Sequence, residues 1–72
     1  MKKSFKLEDL DCANCAAKME AAIGRLPGVN KVTVSFMAQK LILDADDDRF
    51  GEILAAAEKE IRKVEPDCRL LK

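Results

Sequence analysis

Apolar positions along the 72-residue chain fall into separate blocks, each with its own period. Phe5 and Leu7 alternate with Lys6 and Glu8, the pattern of a half-buried strand, expected to end near Leu10. Ala16, Met19, Ile23 and Leu26 then return at steps of three and four, marking one face of a helix that Pro27-Gly28 stops. Val32, Val34 and Phe36 alternate with Lys31, Thr33 and Ser35 as a second strand. A turn at Met37-Ala38-Gln39 leads into a third strand, Lys40 to Asp44, with Leu41 and Leu43 on one side. A turn this short makes the two strands a hairpin. The acidic run Asp44, Asp46, Asp47 and Asp48 comes next, where carboxylates suit the N-cap and first turn of a helix. That helix carries the clearest stripe in the chain: Phe50, Ile53, Leu54, Ala57, Ile61 and Val64. Pro66 ends it by disfavouring helical geometry at Glu65. Cys68 to Leu71 form a last short strand.

The order is β-α-β-β-α-β, with its midpoint in the central hairpin. Two βαβ halves with right-handed crossovers predict an α+β, ferredoxin-like sandwich: a four-stranded antiparallel sheet with both helices on one face. Lys6, Glu8, Lys31, Thr33 and Ser35 then line the opposite, water-facing side. Residues 1–72 read as a single domain with no linker or low-complexity segment.

Charge and composition narrow the function. Thirteen Lys+Arg balance 13 Asp+Glu, so the positive excess that nucleic-acid binding needs is missing. No apolar run approaches the roughly 20 residues of a membrane span, and no apolar stretch of signal-peptide length follows Met1-Lys2-Lys3. These features predict a cytoplasmic monomer that neither enters a membrane nor binds nucleic acid. The chain has no His, which removes the commonest general base and the commonest nitrogen ligand. Any chemistry must run on cysteine and carboxylate. Cys12 and Cys15 form a Cys-x-x-Cys between the first strand and the first helix, and Cys68 stands apart. In a reducing compartment this pattern means metal or redox chemistry rather than a disulfide framework. One thiol in the loop and one in the first helical turn can face a single soft cation. The helix N-terminus favours thiolate over thiol, and Lys18, one turn on, adds positive charge. Sulfur donors select zinc, cadmium, lead or monovalent copper over magnesium and calcium.

Leu10-Asp11-Cys12-Ala13-Asn14-Cys15-Ala16, followed by Leu26-Pro27-Gly28-Val29 and the strand Val32-Thr33-Val34, resembles the heavy-metal-associated domain over essentially the whole chain. That family includes copper chaperones, mercury-binding proteins and N-terminal domains of heavy-metal P-type ATPases. Its pattern is Gly-Met-x-Cys-x-x-Cys; Asp9-Leu10 here replaces Gly-Met, and Leu for Met conserves core volume. Copper-handling members carry Thr or Ser before the first Cys. Asp11 at that position is similar to the zinc-, cadmium- and lead-exporting ATPases, and the resemblance implies that it is a carboxylate ligand. Coordination chemistry agrees: monovalent copper is content with two thiolates, whereas zinc prefers four donors. The resemblance implies a non-enzymatic domain that serves the membrane-embedded part of a transport ATPase, or another metal-binding domain.

Competing readings stand beside these. Asp11 reads as a turn or N-cap residue as well as a ligand. Cys68 opens a strand antiparallel to the first, which brings it, with Glu65 and Asp67, toward the site; a cysteine at a strand start also packs simply as core. Copper relatives commonly place an aromatic residue in this loop, where Val64-Glu65-Pro66-Asp67 is more polar. Asp46-Asp47-Asp48 lacks the spacing and glycine of a calcium loop. The alternatives in function are a monovalent copper chaperone or copper-ATPase domain and, further off, a thioredoxin-type dithiol oxidoreductase. Against the last stand the short chain, the absence of Trp and the absence of a Pro opposite the dithiol.

Overall fold

The structure, a computed structural model, describes residues 1–71. The first strand runs over Lys2–Glu8 (β1) and stops where Asp9 turns to φ 62°, a left-handed backbone that no strand accommodates. Helix α1 spans Ala13–Gly24 and buries Ala16, Met19 and Ile23. It ends three residues before Pro27. Leu26, placed by periodicity on the same stripe, lies instead in a tighter turn in which its N–H donates to the Ile23 carbonyl at 3.0 Å. The turn closes on Gly28 at φ 88°, where a Cβ would come within 2.7 Å of Ile53 Cδ1. The backbone therefore favours glycine there, and a side chain would also push the tip of Ile53 aside.

Strands β2 (Val29–Ser35) and β3 (Lys40–Ala45) form the expected hairpin, paired from Ser35↔Lys40 through Val32↔Leu43. Phe36 falls in the turn rather than the strand. The second helix, α2 (Phe50–Val64), is preceded by a single 3-10 turn over Asp47–Arg49. The aspartates do not cap it through their side chains. Asp47 pairs with the N-terminal ammonium of Met1, with Asp44 at 4.0 Å. Asp47 and Asp48 do lie in the first turn of that 3-10 segment, where the sequence reading put carboxylates. The last strand, β4 (Arg69–Leu71), begins just after Cys68.

The sheet is antiparallel in the order β2-β3-β1-β4, as the ferredoxin-like reading requires. One face is covered by the apolar stripes of both helices. Met19, Ile23, Leu41, Leu43 and Ile61 are fully buried between the layers. Each contributes about 1.5–3 kcal/mol of burial relative to exposure. Phe5 and Phe50 stack at the edge of this core with ring centroids 6.4 Å apart. β2 is an edge strand, and Glu20 on α1 covers part of it by accepting the Val34 N–H at 2.8 Å. The pairs Lys6↔Lys40, Ser35↔Lys40 and Glu8↔Arg69 have a consequence for function. They bring the β1–α1 loop, the hairpin turn and the α2–β4 loop to one end of the molecule.

Candidate metal centre

Cys12 is the N-cap of α1. Its backbone is extended, with φ −135° and ψ 121°, its carbonyl accepts the Ala16 N–H at 3.1 Å, and its Sγ accepts the Cys15 N–H at 3.3 Å. The thiol thus takes the role usually filled by Ser, Thr, Asp or Asn. Asp11 is exposed and precedes the cap, which removes its alternative reading as the cap residue. Cys15 lies in the first helical turn, half-buried against the core.

The two thiols are electrostatically unequal. The Cys12 pKa is lowered, first by the hydrogen bond from the Cys15 thiol, then by the N–H groups of Cys15 and Asn14. The Cys15 pKa is pushed up to about 12 by that same bond to Cys12, by burial and by a hydrogen bond to the Glu65 carboxylate. Of the two sulfurs, Cys12, at the positive end of the helix, is the one whose thiolate form is favoured. Lys18 is exposed, and the stabilisation of the Cys12 thiolate comes from Cys15 and Asn14 instead.

The other sequence candidates divide into separate surroundings. Glu65 reaches Cys15 from the end of α2. Asp11 and Asp67 line an open groove with Glu8, Asp9, Pro66 and Arg69. Cys68 is 2% exposed and belongs to the core. Burial, followed by the charges of Glu65, Asp9 and Asp11, raises its pKa. Among the described residues, no three Cys, Asp or Glu side chains converge tightly enough to hold a metal ion as they stand. What the structure brings together is the Cys12–Cys15 pair, joined by the bond from the Cys15 N–H to Cys12 Sγ.

Two further residues shape the loop. Asp9, where the Gly-Met-x-Cys pattern has Gly, holds a left-handed conformation, and Asp is among the few side chains that tolerate it. Leu10 fills the core at 2% exposure. Gln39, at the hairpin turn, hydrogen-bonds to Leu10 with its side-chain amide. Sequence reasoning placed Gln39 only in a turn, because its partner is 29 positions away.

The family model for the heavy-metal-associated domain matches residues 4–65. This chain belongs to that family. It is 45% identical over 56 residues to a zinc/cadmium/lead-transporting P-type ATPase of Shigella sonnei, a match covering 78% of the chain and 8% of the transporter. Over 47 residues it is 36% identical to the copper chaperone CopZ of Enterococcus hirae, covering 65% of the chain and 68% of the chaperone. Solution structures of the N-terminal domain of ZntA superpose with TM-scores of 0.73 for the apo form and 0.69 for the Zn(II) form. Their identities are 39% and 38%, over 99% and 96% of this chain and 92% and 86% of those domains. As a heavy-metal-associated domain, the chain is a metal-binding module and not itself a catalyst. No helix among the described residues is long and apolar enough to cross a membrane.

Proposed function

We propose that this domain is cytoplasmic and takes a divalent soft ion (zinc, cadmium or lead) through Cys12, Cys15 and Asp11, for delivery to or regulation of a metal-exporting P-type ATPase. The observation that carries the reading is the Cys12–Cys15 pair at the start of α1, where the N-cap sulfur accepts the Cys15 N–H and its thiolate form is favoured. Asp11 supplies the harder donor that a divalent ion needs beyond two thiolates. Its exposed side chain, with no capping duty, is free to turn toward the ion. The similarity to zinc/cadmium/lead transporters supports the same choice. Loading displaces thiol protons, since the ligands are thiolates. Transfer then proceeds by stepwise thiolate substitution, a partner's sulfur entering before Cys12 or Cys15 leaves. Both cysteines are partly exposed at one end of the molecule, as such exchange needs.

A specific observation favours a second reading. Without movement of Asp11, the site offers two thiols and no third convergent donor, which suits monovalent copper, and a copper chaperone is among the relatives. Cadmium titration followed by thiolate-to-metal ultraviolet absorption tests the shared part of both readings. Cys12→Ala and Cys15→Ala should each abolish most of the absorption and affinity while the far-ultraviolet circular dichroism persists. Unchanged affinity in either variant would remove that cysteine from the site.

A further inference from the structure

Gln39 sits at φ 54°, and its carbonyl accepts the Leu7 N–H at 2.7 Å, one step past the Lys6↔Lys40 pair. Its side-chain amide continues that ladder across the loop. Oε1 accepts the Leu10 N–H at 3.2 Å, and Nε2 donates to the Leu10 carbonyl at 2.7 Å and to the Phe36 carbonyl at 2.9 Å. The pattern fixes the amide's orientation, because a flipped amide would set its oxygen against two carbonyls. Leu10 is 2% exposed, so water is a poor substitute partner for its peptide groups. One side chain from the hairpin thus holds both polar groups of the residue two positions before Cys12.

We propose that Gln39 is a positioning residue for the metal site: by clamping the Leu10 peptide it keeps Cys12 in the N-cap geometry that sets its sulfur beside Cys15. The inference rests on the metal-binding reading above. The clamp ties the stretch between the left-handed Asp9 and the extended Cys12 to the hairpin turn. Loosening it forces the loop to be ordered at the moment of binding, and that ordering opposes binding. The hairpin turn therefore sets how firmly the ion is held, although it supplies no ligand.

The test combines amide hydrogen exchange of the metal-free protein with cadmium competition titration, for wild type, Gln39→Asn and Gln39→Glu. Asn tolerates the left-handed backbone but is one methylene too short. Glu keeps an acceptor for the Leu10 N–H but turns a carboxylate against the two carbonyls. Both variants should lose cadmium affinity by roughly tenfold, the lower end of the range for residues supporting metal ligands. Exchange should accelerate at Leu10 to Cys15 and stay at wild-type protection in α2. A purely structural role would accelerate exchange in α2 as well and leave the affinity of the folded fraction unchanged. Affinities within about twofold of wild type, or a Leu10 amide still protected in both variants, would overturn the assignment. Should wild type itself bind no cadmium, the metal reading fails, and the exchange data alone decide whether Gln39 holds the loop.

Discussion

Cys12 caps the helix, and the ligand role proposed for it would reinforce that duty: the N–H groups that need an acceptor are the same ones that favour the anion. Spacing, together with the position before the first helix, made both cysteines legible as candidates. Their asymmetry was not legible, because it depends on which sulfur accepts the Cys15 N–H and on Glu65 arriving from 50 positions away. Asp11 illustrates the converse, since Asp is a better capping residue than Cys by propensity, yet the fold gives the cap to Cys12. The asymmetry is measurable. Alkylation proceeds through thiolate, so a lowered pKa moves reactivity to lower pH and a raised one delays it to higher pH. With limiting iodoacetamide on the metal-free protein, peptide mapping should find Cys12 modified first, at pH values below those that activate an ordinary thiol. Cys15 should follow only under more alkaline conditions. Preferential labelling of Cys15 would contradict the charge distribution.

At the level of elements, the apolar stripes were the most legible feature, because a face that must be buried leaves its period in the sequence. Leu41 and Leu43 on β3 and Ile53, Ala57 and Ile61 on α2 are buried as their spacing requires. Element ends were less legible. The last turn of α1 tightens before Gly28 and leaves Leu26 outside the helix, and a 3-10 turn precedes α2, where Asp47 meets the Met1 ammonium from 46 positions away. Cys68, at the junction of α2 and β4, combines both problems. Topology brings it toward the site, and burial keeps it in the core. Cys68→Ala should therefore lower stability by about 1 kcal/mol, as a modest loss of buried volume does, which chemical denaturation would register. The cadmium–thiolate absorption should remain at its wild-type intensity. A loss of one third of that absorption would make Cys68 a third sulfur ligand.

Across the whole molecule, the ferredoxin-like order was readable from the sequence because right-handed crossovers leave little topological choice once the elements are known. That order brings the thiols, the acidic groove of Asp11 and Asp67, and the Gln39 turn to one end. Contacts such as Gln39 to Leu10 were out of reach, since hydrophobic periodicity carries no information on which polar side chain meets which loop. The proposed function requires that a soft divalent ion be held here and that Asp11 make the difference between it and monovalent copper. Competition titrations of wild type, Asp11→Ala and Asp11→Asn against chelators of known affinity, with cadmium or zinc and with monovalent copper, address it directly. Asp11 is not the cap, so both variants should fold as wild type does. Both should lose about 1–3 kcal/mol of zinc or cadmium affinity, as expected for removal of a charged partner, and keep their affinity for copper. Equal losses for copper and for the divalent ions, or no loss for either, would contradict the account.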